Sequence, residues 1–492
     1  MKPFYSLIVL LLLTACVEAG EKKALLIMLD GLRADAAYSA ATPVLDSLRD
    51  GSWAKNYQGA WTFQAHSIQD SAPNSATNHV AIATGVTATK HGVFENGNTA
   101  KGNYAEYPTW LSRLRKKQPE IVTAWLHNWS ENTAIPTDAD FQSTCGEGFD
   151  GDQKLIEQAK QILAGTLPET AGENGTKWTP GKDIDAMMLY LDSLDMFGHR
   201  FGFSVHCPEY FEKVAHYDGK VGELLETLKN RPNFAKEDWL IVVIADHGGT
   251  GRGHGIVGCK NCYTVPLIVS GKNIATGRMQ GQPLTTTPTA YLMKHFTGKI
   301  PECFASAIPT TKPEAAPKLD AGKISLDAFQ KESRDGSFSF ALWFKANDAQ
   351  KDDPPLFSNK NWADGLTPGV ALAANMADGT AGCRAWLNLG DGERREDFRP
   401  LEYQPNEWTF FAVTVDRKEN AVLYVGGADG RLSFISHDVT HLKKLTAGMP
   451  WNVGQDGTGK YPHTPDGEIQ GPTCWNRALT TDEVAELYRA GK

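Results

Sequence analysis

Positive charge is in short supply in this chain. Over 492 residues, 49 Lys and Arg stand against 58 Asp and Glu, a formal net charge of -9. That balance excludes a basic protein that holds nucleic-acid backbones by counterion release, and no duplex binding is expected. It also disfavours nonspecific adhesion to anionic surfaces while naming no substrate. Long apolar runs are missing as well: beyond the first 16 residues nothing approaches the about 18 consecutive apolar residues of a membrane-spanning helix. No repeat of solenoid period stands out. Hydrophobic residues at 41% and charged residues at 22% leave enough material for a core and exclude a disordered chain. The length exceeds what one core usually organises, so two domains are expected.

What is present begins with an address. Met1-Lys2, an apolar run from Phe4 to Leu13, then Thr14-Ala15-Cys16 have the order of a secretory signal, and the run is too short to span a bilayer. Leu13-Thr14-Ala15-Cys16 resembles the bacterial lipobox, in which the cysteine is acylated and becomes the mature N-terminus. Residues 1–20 are therefore expected to be a lipoprotein signal and tether. The rest should lie outside the cytoplasm, in the cell envelope, anchored to the membrane through Cys16. In that oxidising setting the remaining cysteines number seven, an odd count. Cys259-Lys-Asn-Cys262 has the spacing of a redox or zinc pair, but no second CxxC completes a zinc site; a local disulfide or two inert thiols is expected there.

Residues 21–308 alternate apolar runs with helix-like stretches. Ala24-Leu-Leu-Ile-Met-Leu29, Met187-Met-Leu-Tyr-Leu191 and Leu240-Ile-Val-Val-Ile-Ala245 are continuous apolar runs, each followed at once by acid. Tyr210, Val214, Tyr217, Val221, Leu225 and Leu228 repeat at helical spacing. The pattern predicts an α/β domain, a mostly parallel sheet covered by helices on both faces, with ligands outside the carboxyl ends of its strands. Residues 309–329 read as a linker, proline-rich over 309–322. Residues 330–492 change grammar to short alternating strands divided by Gly, Asp and Asn turns, which predicts an all-β sandwich.

Four clusters in the first domain carry chemistry. Asp30-Gly31 closes the first strand. Ser71-Ala-Pro-Asn-Ser75-Ala-Thr-Asn78-His79 leads to Thr84-Gly85. Asp195-Met-Phe-Gly-His199 follows the second strand. Asp246-His247-Gly248 follows the third, with His254 in a glycine-rich loop beyond it. Each alone has a bland reading as a turn, loop or satisfied histidine, and His66, His127, His216 and His295 stay in that class. Together they put three Asp and three His at the ends of three strands, donors that suit zinc with a position left open for substrate. A hydroxyl beside such a site suggests a nucleophile on a two-metal centre.

The order Asp30, Ser75, Asp195-x-x-x-His199, Asp246-His247, His254 resembles the alkaline phosphatase superfamily, in its type I phosphodiesterase/nucleotide pyrophosphatase branch, over roughly residues 23–300. The resemblance implies two zinc ions, one held by Asp195, His199 and His254 and the other by Asp30, Asp246 and His247. It makes Ser75 the nucleophile, with Ser71 as runner-up because Asp70-Ser71-Ala72 is similar to the classical phosphatase motif. It also assigns Asn78 to the phosphoryl oxygen. Serine where the branch more commonly has threonine is a departure. The x-Pro-x-Arg of sulfatases is absent after Ser75, which argues against sulfate esters. Residues 330–492 resemble laminin-G/concanavalin-like jelly rolls through Phe338-Ser-Phe-Ala-Leu-Trp-Phe344, Trp408-Thr-Phe-Phe-Ala-Val413 and Trp475-Asn-Arg-Ala-Leu479. The expectation is an exported, metal-dependent phosphodiesterase working through a phosphoseryl intermediate. Its substrate would be a small phosphoester or a phosphorylated glycan or lipid, with carbohydrate a candidate ligand of the second domain. The alternatives are a phosphomonoesterase, or a surface glycan-binding adhesin with an accessory hydrolase-like domain. Because imidazoles bind zinc only when neutral, activity should fall in mild acid.

Overall fold

The computed structural model describes residues 20–491 except 41, 206, 313–321, 332–335, 399, 429, 431 and 446–447. Cys16 and its signal therefore lie outside the described residues, as does most of the proline-rich linker. Among the described residues no helix is long and apolar enough to cross a membrane.

The first domain is built on one nine-stranded sheet. In chain order its strands are β1 (Glu21–Leu29), β2 (Gln58–His66), β3 (Thr123–Leu126), β4 (Phe141–Ser143), β5 (Ala186–Leu191), β6 (Glu237–Ile244), β7 (Thr264–Gly271), β8 (Gly277–Met279) and β9 (Thr311–Lys312). They lie side by side as β9-β8-β2-β7-β6-β1-β5-β3-β4. The block β4-β3-β5-β1-β6 is parallel. β7 runs against both β6 and β2, and β9 against β8, so the sheet is mixed. Ala24 to Leu29, all of β5 and all of β6 are buried, as strands covered on both faces must be. Each fully buried Leu or Ile there contributes about 1.5–3 kcal/mol relative to leaving it in water.

Register places the chemistry. Leu29 pairs with Leu191, and Met28 with Ile244, so β5, β1 and β6 end abreast. The residues that follow, Asp192, Asp30 and Asp246, stand in a row along one sheet edge. The helices that serve this edge are α1 (Ser75–Thr84), α2 (Phe149–Leu163), α3 (Ser193–Phe201) and α4 (Pro208–Lys229). Every residue of α1 is buried. α4 buries Tyr210, Val214, Tyr217, Val221, Leu225 and Leu228, the positions its spacing predicts.

The second domain is a sandwich of two antiparallel sheets. One runs Lys323–Ile324, Gly467–Trp475, Phe338–Ala346, Trp408–Val415, Asn420–Gly426, Leu432–Asp438; the other joins Arg395–Asp397, Arg384–Gly390, Gly369–Ala373, Pro355–Ser358 and Asn452–Val453. Phe340, Phe344, Phe357, Leu387 and Trp451 fill the space between them. The two described ends of the linker are drawn into the two domains: Thr311 and Lys312 pair with Met279 and Arg278, while Lys323 and Ile324 pair with Trp475 and Cys474. Tyr38 packs against the sandwich cluster of Trp475 and Val484, under the guanidinium of Arg489 at 5.1 Å.

Candidate active site

Asp30 is delivered by the end of β1, and Gly31 lets the chain turn away. Gly31 has φ +70°, and a Cβ there would stand 2.8 Å from the Cα of Asp195, so a side chain would drive α3 off the strand end. Asp195 and His199 sit one turn apart on α3, with His199 Nε2 3.2 Å from Asp195 Oδ2. Asp246 and His247 follow β6, and the loop beyond brings back His254, whose ring stacks on His247 at 3.7 Å between centroids. Ser75 opens α1 with its Oγ 3.0 Å from His247 Nε2.

Two groups of donor atoms result, each within 4.8 Å of one another: Asp30, Asp246 and His247, and Asp195, His247 and His254. His199 joins the second group through Asp195. The Nδ1 atoms of His247, His254 and His199 lie 2.8, 3.0 and 2.9 Å from the carbonyl oxygens of Gly248, Pro73 and Arg252. A carbonyl only accepts, so each ring carries its proton on Nδ1 and turns the lone pair of Nε2 into the site.

Each carboxylate has an imidazole within 3.4 Å, yet keeps one oxygen outside any hydrogen bond among the described residues. Asp30 Oδ1, Asp195 Oδ1 and Asp246 Oδ2 are buried without a hydrogen-bond partner. Burial, then the charges of Asp246 and Asp195, push Asp30 up to about 7. Burial works against ionisation of Asp246 too, but His247 and His79 hold it below the usual carboxylate range. Buried acids forced together with lone pairs unused, beside imidazoles presenting Nε2, fit a bound cation. The donor set passes that test.

Asn78 and Ser71 are placed elsewhere. Asn78 is fully buried; its Oδ1 accepts from the Ile68 N–H (3.1 Å) and the Thr285 hydroxyl (2.9 Å), and its Nδ2 donates to Asn74 O (3.1 Å). That amide fastens α1 to its neighbours through all three bonds. Ser71 donates to Phe94 O at 3.1 Å. Another asparagine, Asn96, reaches the start of α1, where its Oδ1 accepts the Ala76 N–H at 3.1 Å.

Further residues that the motif reading did not single out support the site. His79 is buried with Nε2 3.1 Å from Asp246 Oδ2 and 3.4 Å from Asp30 Oδ2, its Nδ1 held by Asn132 at 3.0 Å. Arg33 binds both oxygens of Asp35 and donates to the carbonyls of Phe203 and Gly249, tying three loops together. Asp152 of α2 accepts from Asp192 N (3.2 Å), Ser193 N (3.1 Å), Asn128 Nδ2 and Tyr217 OH, so it holds the first turn of α3. His79 lies inside a motif that was read only for its serine and asparagine. The others are single polar residues in loops or on a helix, without a local signature.

Residues 24–261 match the model of the type I phosphodiesterase/nucleotide pyrophosphatase family, and residues 320–485 that of the concanavalin A-like lectin/glucanases superfamily. An uncharacterised pyrophosphatase/phosphodiesterase of Schizosaccharomyces pombe is 28% identical over 46% of this chain and 45% of its own length. Ectonucleotide pyrophosphatase/phosphodiesterase family member 7 of Rattus norvegicus is 24% identical over 49% of this chain and 55% of its own. The chain thus spans about half the length of the curated relatives it matches. Among solved structures, murine ectonucleotide pyrophosphatase/phosphodiesterase 5 superposes with a TM-score of 0.39 and 13% identity, over 59% of this chain and 98% of that one. The chain is thus similar to the type I phosphodiesterase/nucleotide pyrophosphatase family over residues 24–261 and to the concanavalin A-like lectin/glucanases superfamily over residues 320–485.

Proposed function

We propose that the first domain is a zinc-dependent phosphodiesterase in which Ser75 is the nucleophile. The observation that carries this reading is the meeting of the buried Asp30 and Asp246 carboxylates with His247 Nε2 at the Ser75 hydroxyl. Asp30, Asp246 and His247 would hold one ion and Asp195, His199 and His254 the other; bound there, zinc lowers the pKa of a hydroxyl and neutralises charge on the phosphoryl and leaving oxygens. Ser75 would give its proton to solvent and its Oγ would form a bond to phosphorus while the ester oxygen leaves and takes a proton from water, giving a phosphoserine that a water molecule then hydrolyses to free serine and phosphate ester. Asn96, its Oδ1 committed to Ala76, keeps its NH2 as the donor for a phosphoryl oxygen, the role the sequence reading gave to Asn78. Arg33 and His79 position the loops and carboxylates.

The test compares kcat/KM for bis-p-nitrophenyl phosphate and p-nitrophenyl phosphate on zinc-loaded protein. The diester should be preferred. Preference for the monoester would make the protein a phosphatase, and no turnover of either would remove the hydrolase reading.

We further propose that Cys16 is acylated and places the protein in the cell envelope; lipid labelling that persists in Cys16→Ser would refute it. The sandwich is proposed to hold carbohydrate where Trp362 and Trp386 pack edge to face at 5.3 Å beside Tyr461. Trp386→Ala should then lose retention on polysaccharide columns, and unchanged retention would remove that role.

A further inference from the structure

The loop that follows β6 closes on a pair of thiols that the active site does not use. Cys259 precedes and Cys262 lies within one turn of helix, Lys260–Tyr263, with their sulfurs 2.8 Å apart. A disulfide bond is about 2.05 Å long, so the two sulfurs need to approach by only about 0.8 Å. The turn is the neck of the segment carrying His247 and His254. The Cys262 carbonyl accepts from Gly248 N at 2.9 Å, and the next carbonyl, of Tyr263, accepts from Ser67 N at 2.9 Å. Tyr263 OH donates to Ser71 O at 2.9 Å, on the strand of chain that leads to Ser75. The neck is tight: a Cβ on Gly248 would stand 2.1 Å from the carbonyl oxygen of Asn261.

The two thiols are not equivalent. Cys262 is buried and Cys259 partly open. The Cys262 thiol donates to the Cys259 sulfur, and that bond, aided by the N–H of Cys262 and the charge of Arg33, brings Cys259 down to about 6 while its neighbour is pushed up. An accessible thiolate backed by a buried thiol is the arrangement of a nucleophilic and a resolving cysteine.

We propose that Cys259 and Cys262 form a reversible redox modification site, oxidised by small disulfides of the glutathione class, whose disulfide locks the neck of the His247–His254 loop. The Cys259 thiolate attacks one sulfur of the oxidant; the oxidant's S–S bond breaks and one glutathione thiolate leaves and takes a proton. Cys262 then loses its proton and attacks the Cys259 sulfur, expelling the second glutathione. Two thiols become one disulfide and one oxidised glutathione becomes two reduced ones.

The experiment uses the full chain with oxidised glutathione, followed by alkylation and peptide mass spectrometry. Wild-type protein should lose alkylation at both Cys259 and Cys262, carry an intrachain link between them, and regain both sites with reductant. Cys262→Ser should retain a glutathione adduct on Cys259, and Cys259→Ser should show none on the buried Cys262. In oxidised wild type, hydrogen exchange of the Cys262 and Tyr263 amides, both bonded to the Cys259 carbonyl, should slow on the order of tenfold, as closure of a short ring predicts. Continued alkylation of both cysteines, linkage of either to another cysteine, or adducts alike in the two variants would overturn the site. Unchanged exchange would overturn the lock. Neither readout uses turnover, so the outcome is independent of the hydrolase reading.

Discussion

Asp152→Asn should damage one metal site and spare the other. The Asp152 carboxylate is fully buried and accepts from four donors: Asp192 N, Ser193 N, Asn128 Nδ2 and Tyr217 OH. An asparagine offers one acceptor oxygen and turns an NH2 towards the remaining donors. Two of the four bonds are lost at about 1–2 kcal/mol each, since their buried donors find no other partner. Part of that returns through Asp192, which burial and then the Asp152 charge hold up at about 8; removing the charge relieves it by about 1 kcal/mol. The net cost is about 2 kcal/mol of stability, enough to measure by urea unfolding but well inside the margin of a folded domain. The loss falls on the first turn of α3, and α3 carries Asp195 and His199. Zinc at that pair should therefore bind 10- to 100-fold more weakly, the usual effect of removing an outer support. Asp30, Asp246 and His247 follow strands β1 and β6, so their affinity should hold. Chelator competition with stepwise metal counting separates the two ions. Equal weakening of both, or two tight ions with stability within about 0.5 kcal/mol of wild type, would refute the claim that Asp152 positions α3.

Asn96→Ala should lower kcat by about 10²–10³ with little effect on folding, as expected for one donor to a charged oxygen. Asn78→Ala should do the reverse, costing stability through its three hydrogen bonds; equal kinetic effects would return the phosphoryl contact to Asn78. Ser75→Ala should reduce turnover by about 10⁴ or more while metal content is unchanged; near-wild-type turnover would move the nucleophile to Ser71 or to water. His127 is fully buried, and burial holds it down at about 4, with Nδ1 facing the Trp129 carbonyl and Nε2 the Gln142 amide. Against about 6.5 when unfolded, its neutral form gives stability that is complete above pH 6.5 and is lost as pH falls towards 4, up to about 3 kcal/mol. The urea midpoint should fall across that window, and more steeply in wild type than in His127→Gln; identical slopes would show that this imidazole is not the group titrating.

The proposed metal donors are legible because each is attached to a local pattern with strong physics. A continuous apolar run is a buried strand, and an acid placed directly after it stands at the strand's carboxyl edge; Asp30 and Asp246 need nothing more to be located. Asp195 and His199 share a helix face by their spacing alone. The same rules say less where a local pattern has two tertiary outcomes. β7 is buried almost throughout, as a parallel strand would be, yet it runs antiparallel to β6, because burial on both faces reports coverage and carries no information about direction. The family resemblance points to Asn78, one turn along α1, but which asparagine meets the substrate depends on what packs against the helix. Asn78 is claimed by Ile68 and Thr285, one outside each end of the segment from Ser75 to His254, whereas Asn96 arrives from a loop with no periodicity to read. Asp152 is less visible still: nothing in α2 distinguishes it from a solvated acid until α3 and α4 close over it. What the sequence states well is therefore the group that binds, and what it states poorly is the group that holds the binder in place. Mutations at Asp30 or His247 would test a reading of motifs, while Asp152 and Asn96 test the packing that the motifs leave open.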